Sequence, residues 1–219
     1  MIYIMKTDKV NGLFSQDRIK KLLSAQRLEK MTSFYHPNDG IISAMAYILL
    51  RAALYKEYAI KDKVNFVFSD HNKPYLDGYE GVFFNISHCS GAVMCAVSDN
   101  ETGVDIQDYH DVIGDCADMI FHCSEKEKIK NTDFPEKEMI RFWTMKEAYG
   151  KYIGKGILYE LDKVSFSDVS SGIWQDIGGM QIYSECQSEY AYSVCSVHQL
   201  SFCDVSWQDI SCICERLSF

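Results

Sequence analysis

The sequence predicts an α+β fold built as two similar halves that meet near residue 100. Three observations carry that expectation. Apolar residues recur at helical spacing in some segments and alternate at strand spacing in others. The order strand, helix, helix, strands is followed by helix, helix, strands. Finally, the run Phe142-Trp143-Thr144-Met145-Lys146-Glu147-Ala148-Tyr149-Gly150-Lys151 reads as a helix that sets a carboxylate and ammonium groups among large apolar side chains. Phe142, Met145, Tyr149 and Tyr152 form one stripe, and Trp143, Glu147 and Lys151 a second at i, i+4, i+8. A helix that is apolar on two sides is central to its fold, so its charges need a partner, a metal or a phosphate.

Ile2 to Met5 reads as the first strand. Ser15 caps a basic amphipathic helix over about 16–30, and Asn38 or Asp39 caps the next, over about 40–58. The period then changes. Val64 to Phe68, Gly81 to Ser87, Ala92 to Val97 and Val104 to Gln107 read as strands, with Asn72-Lys73-Pro74 in a loop; short turns make them an antiparallel meander. Helices are expected at about 111–121, 124–130 and 135–153. Strands return near 162–167, 179–184 and 190–197, with a last short helix after Ser206. The expected division is 1–101 and 102–219.

The chain has 219 residues, 47% of them hydrophobic, enough for one large domain or two small ones. A net charge of −9 argues against general nucleic-acid binding. It leaves room for a local basic patch at Arg18, Lys20, Lys21, Arg27 and Lys30, though from spacing alone a solvated helix face is the favoured reading. Nine scattered cysteines without a Cys-x-x-Cys pair suit reduced thiols in a cytoplasmic protein. The same lack of paired spacing disfavours a thiol redox or metal-binding protein. Residues 1–9 lack the apolar core of a signal, and the apolar run 40–54 is too short, and too near Arg51, to span a membrane.

Strand alternation puts Asp105 and Gln107 on one face and Val104 and Ile106 on the other, which faces a core. Two oxygen donors at that spacing suit a hard divalent cation, though a polar strand end facing water is the commoner explanation. Ser87-His88 closes a strand before a turn and is suited to an anion, though taken alone a structural histidine is the favoured explanation. Lys73, stiffened by Pro74, offers a cation from a loop and is read by default as a solvated turn lysine.

Their order and spacing are more specific than any one of them. Arg27 and Lys30 precede Phe34-Tyr35-His36. Asn72-Lys73-Pro74, Phe84-Asn85-Ile86-Ser87-His88 and Gly103-Val104-Asp105-Ile106 follow, then Phe142 to Ala148 with Lys151 and Gly154-Lys155-Gly156. The pattern resembles the Sfp-type 4′-phosphopantetheinyl transferases of the holo-acyl-carrier-protein synthase superfamily, over roughly residues 1 to 200. The specific part is Gly-Val-Asp followed by Trp-x-x-Lys-Glu-Ala-x-x-Lys, with Asp105 and Glu147 standing 42 positions apart.

The resemblance implies a pseudo-two-fold pair of α+β halves with coenzyme A in the cleft between them, and transfer of its 4′-phosphopantetheine arm to a serine of an apo acyl or peptidyl carrier domain. Adenosine 3′,5′-bisphosphate is the by-product. A magnesium ion, with manganese as a substitute, would be held by Asp105 and Glu147, with Gln107 beside them. Glu147 would also accept the serine proton, and Lys151 would contact phosphates, with Lys146 supporting the charge balance. Ser87 and His88 would touch the pyrophosphate, Lys73 coenzyme A, and Arg27 and Lys30 the 3′-phosphate region. The N-terminal half would bind coenzyme A and the C-terminal half carry the metal and catalytic residues.

The chain departs from the family at two places. Gln107 stands where a second acid is common, and Gly40-Ile41-Ile42 lacks a basic residue, with His36 as partial substitute. These departures leave open a catalytically weakened relative that binds coenzyme A or carrier domains. The family at this length implies a monomer. Carrier docking is assigned to the loop from His122 to Asn131, with Lys126, Lys128 and Lys130; fatty-acid, polyketide and nonribosomal-peptide carriers are all open.

Overall fold

The computed structural model describes residues 1–10, 13–110, 117–155 and 160–217. Helices and antiparallel sheets alternate along the chain and fall into two compact units. One comprises Met1–Phe68, Pro74–Asn100 and Leu200–Phe219, the other Ser69–Lys73 and Glu101–Gln199.

In the first unit β1 (Ile2–Lys6), β5 (Ala92–Ser98) and β4 (Phe83–His88) form a sheet in the order β1-β5-β4. α3 (Pro37–Tyr58) packs on it and is buried nearly all round from Ile42 to Leu54. That burial, worth about 1.5–3 kcal/mol per large apolar side chain, outweighs the absence of an amphipathic stripe. Pro37 starts α3 at N1, and the left-handed Ala59 ends it. Buried Arg51 donates to Leu22 O at 2.8 Å and Lys61 O at 2.7 Å, anchoring the segments on either side. β2 (Phe66–Phe68) and β3 (Pro74–Leu76) form a separate hairpin.

In the second unit the sheet order is β6-β9-β8-β7, with β6 spanning Thr102–Asp108, β7 Gln175–Ile177, β8 Met180–Cys186 and β9 Tyr190–Ser196. α6 (Pro135–Ile153) lies across β6 and β9. Pro135 at N1 and Glu136 and Glu138 in the first turn start it, and left-handed Gly154 caps its end by donating to Gly150 O. Phe142, Met145 and Ala148 are fully buried on Ile182, Cys195 and Phe166. Thr144, Ser193 and Ser184 add a buried hydroxyl chain from α6 to β9 and β8, at 2.8 and 3.0 Å. Among the described residues no helix is long and apolar enough to cross a membrane.

Several expectations need correction. The helix expected over 16–30 is two, α1 (Gln16–Leu22) and α2 (Ala25–Ser33), because Ser24 turns extended and caps the second by accepting from Arg27 N–H. The meander does not run through: β5 has β1 and β4 on its two sides, so β6 joins the other sheet and pairs with β9. The strand expected at 162–167 is a short 3₁₀ turn, Leu161–Lys163, followed by irregular chain. Short β3 and β7 went unpredicted. The helix expected at 111–121 falls partly outside the described residues; α4 covers Ala117–Ile120. The tail after Leu200 groups with the first unit: α7 (Trp207–Cys214) sends Trp207, Ile210 and Cys214 into that core.

Candidate active site

The site in the second unit begins with the missing side chain of Gly103. A Cβ there would lie 2.1 Å from Ala148 O and 2.4 Å from Tyr152 N, so only glycine lets the α6 backbone rest on β6. By strand alternation Asp105 and Gln107 share this helix-facing side, whereas the sequence suggested an open or cleft-facing one. Asp105 is buried, opposite Ser193 of β9. Lys151, in the last turn of α6, donates to Asp105 Oδ1 at 2.6 Å and to Val104 O at 3.1 Å. Glu147 stands one helical turn before it. Burial first, and then the charge of Asp105, raise the Glu147 carboxyl pKa to about 7 against the opposing pull of Lys151.

This arrangement fits a hard divalent cation. Two carboxylates repel one another where water is scarce, and all the donors are oxygens. Gln107, half-buried two residues along, adds an amide on the same face. Among the described residues no group of three or more His, Cys, Asp or Glu comes together, so the carboxylates number two.

Lys146 does something other than local charge balance. It is fully buried, 2.9 Å from Glu125 Oε2, and donates to Leu161 O at 2.7 Å and to Val164 O. Desolvation lowers its pKa while Glu125 holds it up. Glu125 lies at N3 of α5 (Cys123–Asn131) and also accepts from His122 N–H and Phe166 N–H. The pair therefore fastens α5 and the 161–166 segment to α6. Sequence reasoning missed Glu125; its spacing from His122 signals an N3 carboxylate but not what lies beneath it.

Lys73 is also buried. Its ammonium meets Glu101 Oε2 at 2.5 Å and donates to Tyr152 O at 2.9 Å, tying the 69–73 loop to the end of α6. Desolvation lowers its pKa against the pull of Glu101. Gly154 sits beside its aliphatic stem; Gly156 lies outside the described residues.

In the first unit Arg27 is buried. It donates to Ser43 O and Oγ at 2.9 Å and lies over the rings of Tyr47 and Phe66. Lys30, one turn on, has an exposed side chain, yet partial desolvation of its ammonium and the charge of Arg27 lower its pKa. Gly40 is in contact with the Met31 backbone and Ile42 is buried; His36 is exposed. Ser87 is buried and His88 half-buried on β4, and as strand neighbours they point to opposite faces. Among the residues expected to act, the structure thus gathers Asp105, Glu147 and Lys151 in the second unit and pairs Arg27 with Lys30 on α2 of the first.

Residues 101–201, which hold this strand–helix site, match the 4′-phosphopantetheinyl transferase superfamily. A 4′-phosphopantetheinyl transferase of Bacillus subtilis is 29% identical over 212 residues, covering 93% of this chain and 94% of its own. The transferase Sfp of Bacillus subtilis strain 168 is 28% identical over 171 residues, 75% of each chain. HetI, a 4′-phosphopantetheinyl transferase of Nostoc, is 28% identical over 144 residues, 62% of this chain and 61% of its own. Motif, geometry and similarity agree: residues 101–201 match the 4′-phosphopantetheinyl transferase superfamily, the chain is similar to such transferases along most of its length, and this similarity supports an enzyme of that class.

Proposed function

We propose that the chain transfers the 4′-phosphopantetheine arm of coenzyme A to a serine hydroxyl of an apo acyl or peptidyl carrier domain, with magnesium, releasing adenosine 3′,5′-bisphosphate. The observation that carries this reading is the grouping of Asp105, Glu147 and Lys151 on a strand and helix in backbone contact. A carboxyl that titrates near 7 suits a base that accepts the serine proton at Glu147. Lys151 offers an ammonium that is drawn to phosphate oxygens and steadies Asp105. Magnesium held by Asp105 and Glu147, with Gln107 at its side, would supply charge stabilisation to the phosphoryl oxygens.

In this reading Arg27, Lys30, Ser87 and His88 bind the donor from the N-terminal half, and Lys73 acts by holding its loop. The two halves are versions of one α+β unit, and the enzyme is a cytoplasmic monomer; the free thiols of the described cysteines support that compartment. Buried Ile42, and Arg27 already engaged by Ser43, favour a second reading, a weakened relative that binds coenzyme A or carriers without transfer.

One experiment separates the two. Incubation with coenzyme A, magnesium and an apo carrier domain, followed by intact-mass measurement, reads transfer as an added phosphopantetheine. Asp105→Ala and Glu147→Ala are each expected to abolish it while the far-ultraviolet circular dichroism stays unchanged. Normal loading by either variant would remove the residue from the mechanism. Gln107→Glu is expected to tighten magnesium binding without coenzyme A.

A further inference from the structure

A lysine and a cysteine meet where α3 faces the chain's last segment. Lys56, in the last turn of α3, donates to Cys203 Sγ at 2.9 Å although 147 positions separate them. Each side of the contact is fixed by backbone. Cys203 N–H donates to Ile2 O and Ile2 N–H to Ser201 O, both at 2.8 Å, which stitches residues 201–203 alongside β1. Lys56 projects from a 22-residue helix whose inner face is buried, and its ammonium lies 5.8 Å from the centre of the Tyr3 ring. Lys56 is exposed and Cys203 half-buried, so a small oxidant reaches the sulfur while the amine stays against it.

We propose that Lys56 and Cys203 form an oxidative modification site, in which a peroxide oxidises the sulfur and the lysine amine captures it as a sulfur–nitrogen bond. The Cys203 thiolate attacks one peroxide oxygen and the O–O bond breaks. Sulfur is oxidised to a sulfenic acid, and the second oxygen leaves as hydroxide. That hydroxide takes a proton from the Lys56 ammonium and becomes water. The freed amine attacks sulfur, the S–N bond forms as the S–O bond breaks, and the sulfenic oxygen departs with the amine proton as a second water. The thiol and amine each lose one hydrogen, and the peroxide is reduced to two waters. A thiol reductant reverses the step by attacking the sulfur. The bridge ties the tail segment covalently to α3.

The test uses the full-length protein treated with hydrogen peroxide, digested with trypsin without reductant and read by tandem mass spectrometry. The expected product joins the Lys56 and Cys203 peptides at about 2 Da below their summed mass, with cleavage after Lys56 lost and restored by dithiothreitol. Lys56→Arg, which keeps charge and donor, and Cys203→Ser are each expected to lose the joined peptide. Exposed Cys123 and Cys212 serve as internal controls for ordinary thiol oxidation. Cys203 recovered as a sulfinic acid or in a disulfide, with Lys56 unmodified, would overturn the proposal.

Discussion

Gly103 and Ala148 are in backbone contact: a methyl on the glycine would sit 2.1 Å from the alanine carbonyl oxygen. That closeness sets Asp105 beside Lys151 and Glu147. Gly103→Ala must lift α6 from β6, because the clash is with backbone and no rotamer relieves it. It is expected to destabilise the chain by about 1–3 kcal/mol in urea unfolding and to depress transfer further than stability explains. An unchanged midpoint and rate would mean that the contact is slack.

Glu147 gives the metal-free protein a characteristic pH dependence. Its carboxyl is held at about 7 in the folded chain against 4.5 ordinarily, so the fold prefers it neutral. This contribution is fully present below about 4.5 and is lost as pH rises through about 7. Urea midpoints of the wild type should therefore decline across that window relative to Glu147→Gln, which keeps the shape and loses the titration. Parallel profiles would contradict the assignment.

Lys151 is the cation that restrains this shift. Lys151→Met leaves Asp105 and Glu147 facing one another without it, and the Glu147 pKa is expected to rise further. Carboxyl titration followed by carbon-13 resonance would show the midpoint moving up. A downward movement would place the ammonium elsewhere.

The Glu125–Lys146 pair is buried on both sides and fully hydrogen-bonded. Glu125→Leu alone strands the ammonium and is expected to cost about 3–5 kcal/mol, and Glu125→Leu with Lys146→Met less than the single change. Denaturant unfolding of the two variants checks the order; a double variant worse than the single would reverse it.

What could be read from the sequence follows a physical line. Local signals worked where one preference dominates: Pro135 and Gly154 bound α6 at the residues expected, and Ser206 caps the helix expected after it. Pairing across the chain was hidden. Nothing within Thr102 to Asp108 says that the strand leaves the meander for β9, because register is decided by the edge still open. The grouping of Asp105, Glu147 and Lys151 was legible through motif spacing. The roles of Lys73 and Lys146 were not, since a lysine reads the same in the sequence whether it is solvated or buried against Glu101 or Glu125.

Trp207 is buried, packs edge-on against Phe14 and donates to Lys6 O at 2.6 Å. Most of that core comes from the first hundred residues, yet Trp207 is made only after Glu101–Gln199, the bulk of the second unit. During synthesis the first unit must wait for the tail to clear the ribosome before it can close, while the intervening segment is already free to fold. The first unit is thus the later one to mature, and a stop before residue 200 that spares Asp105, Glu147 and Lys151 would still leave its core unsealed.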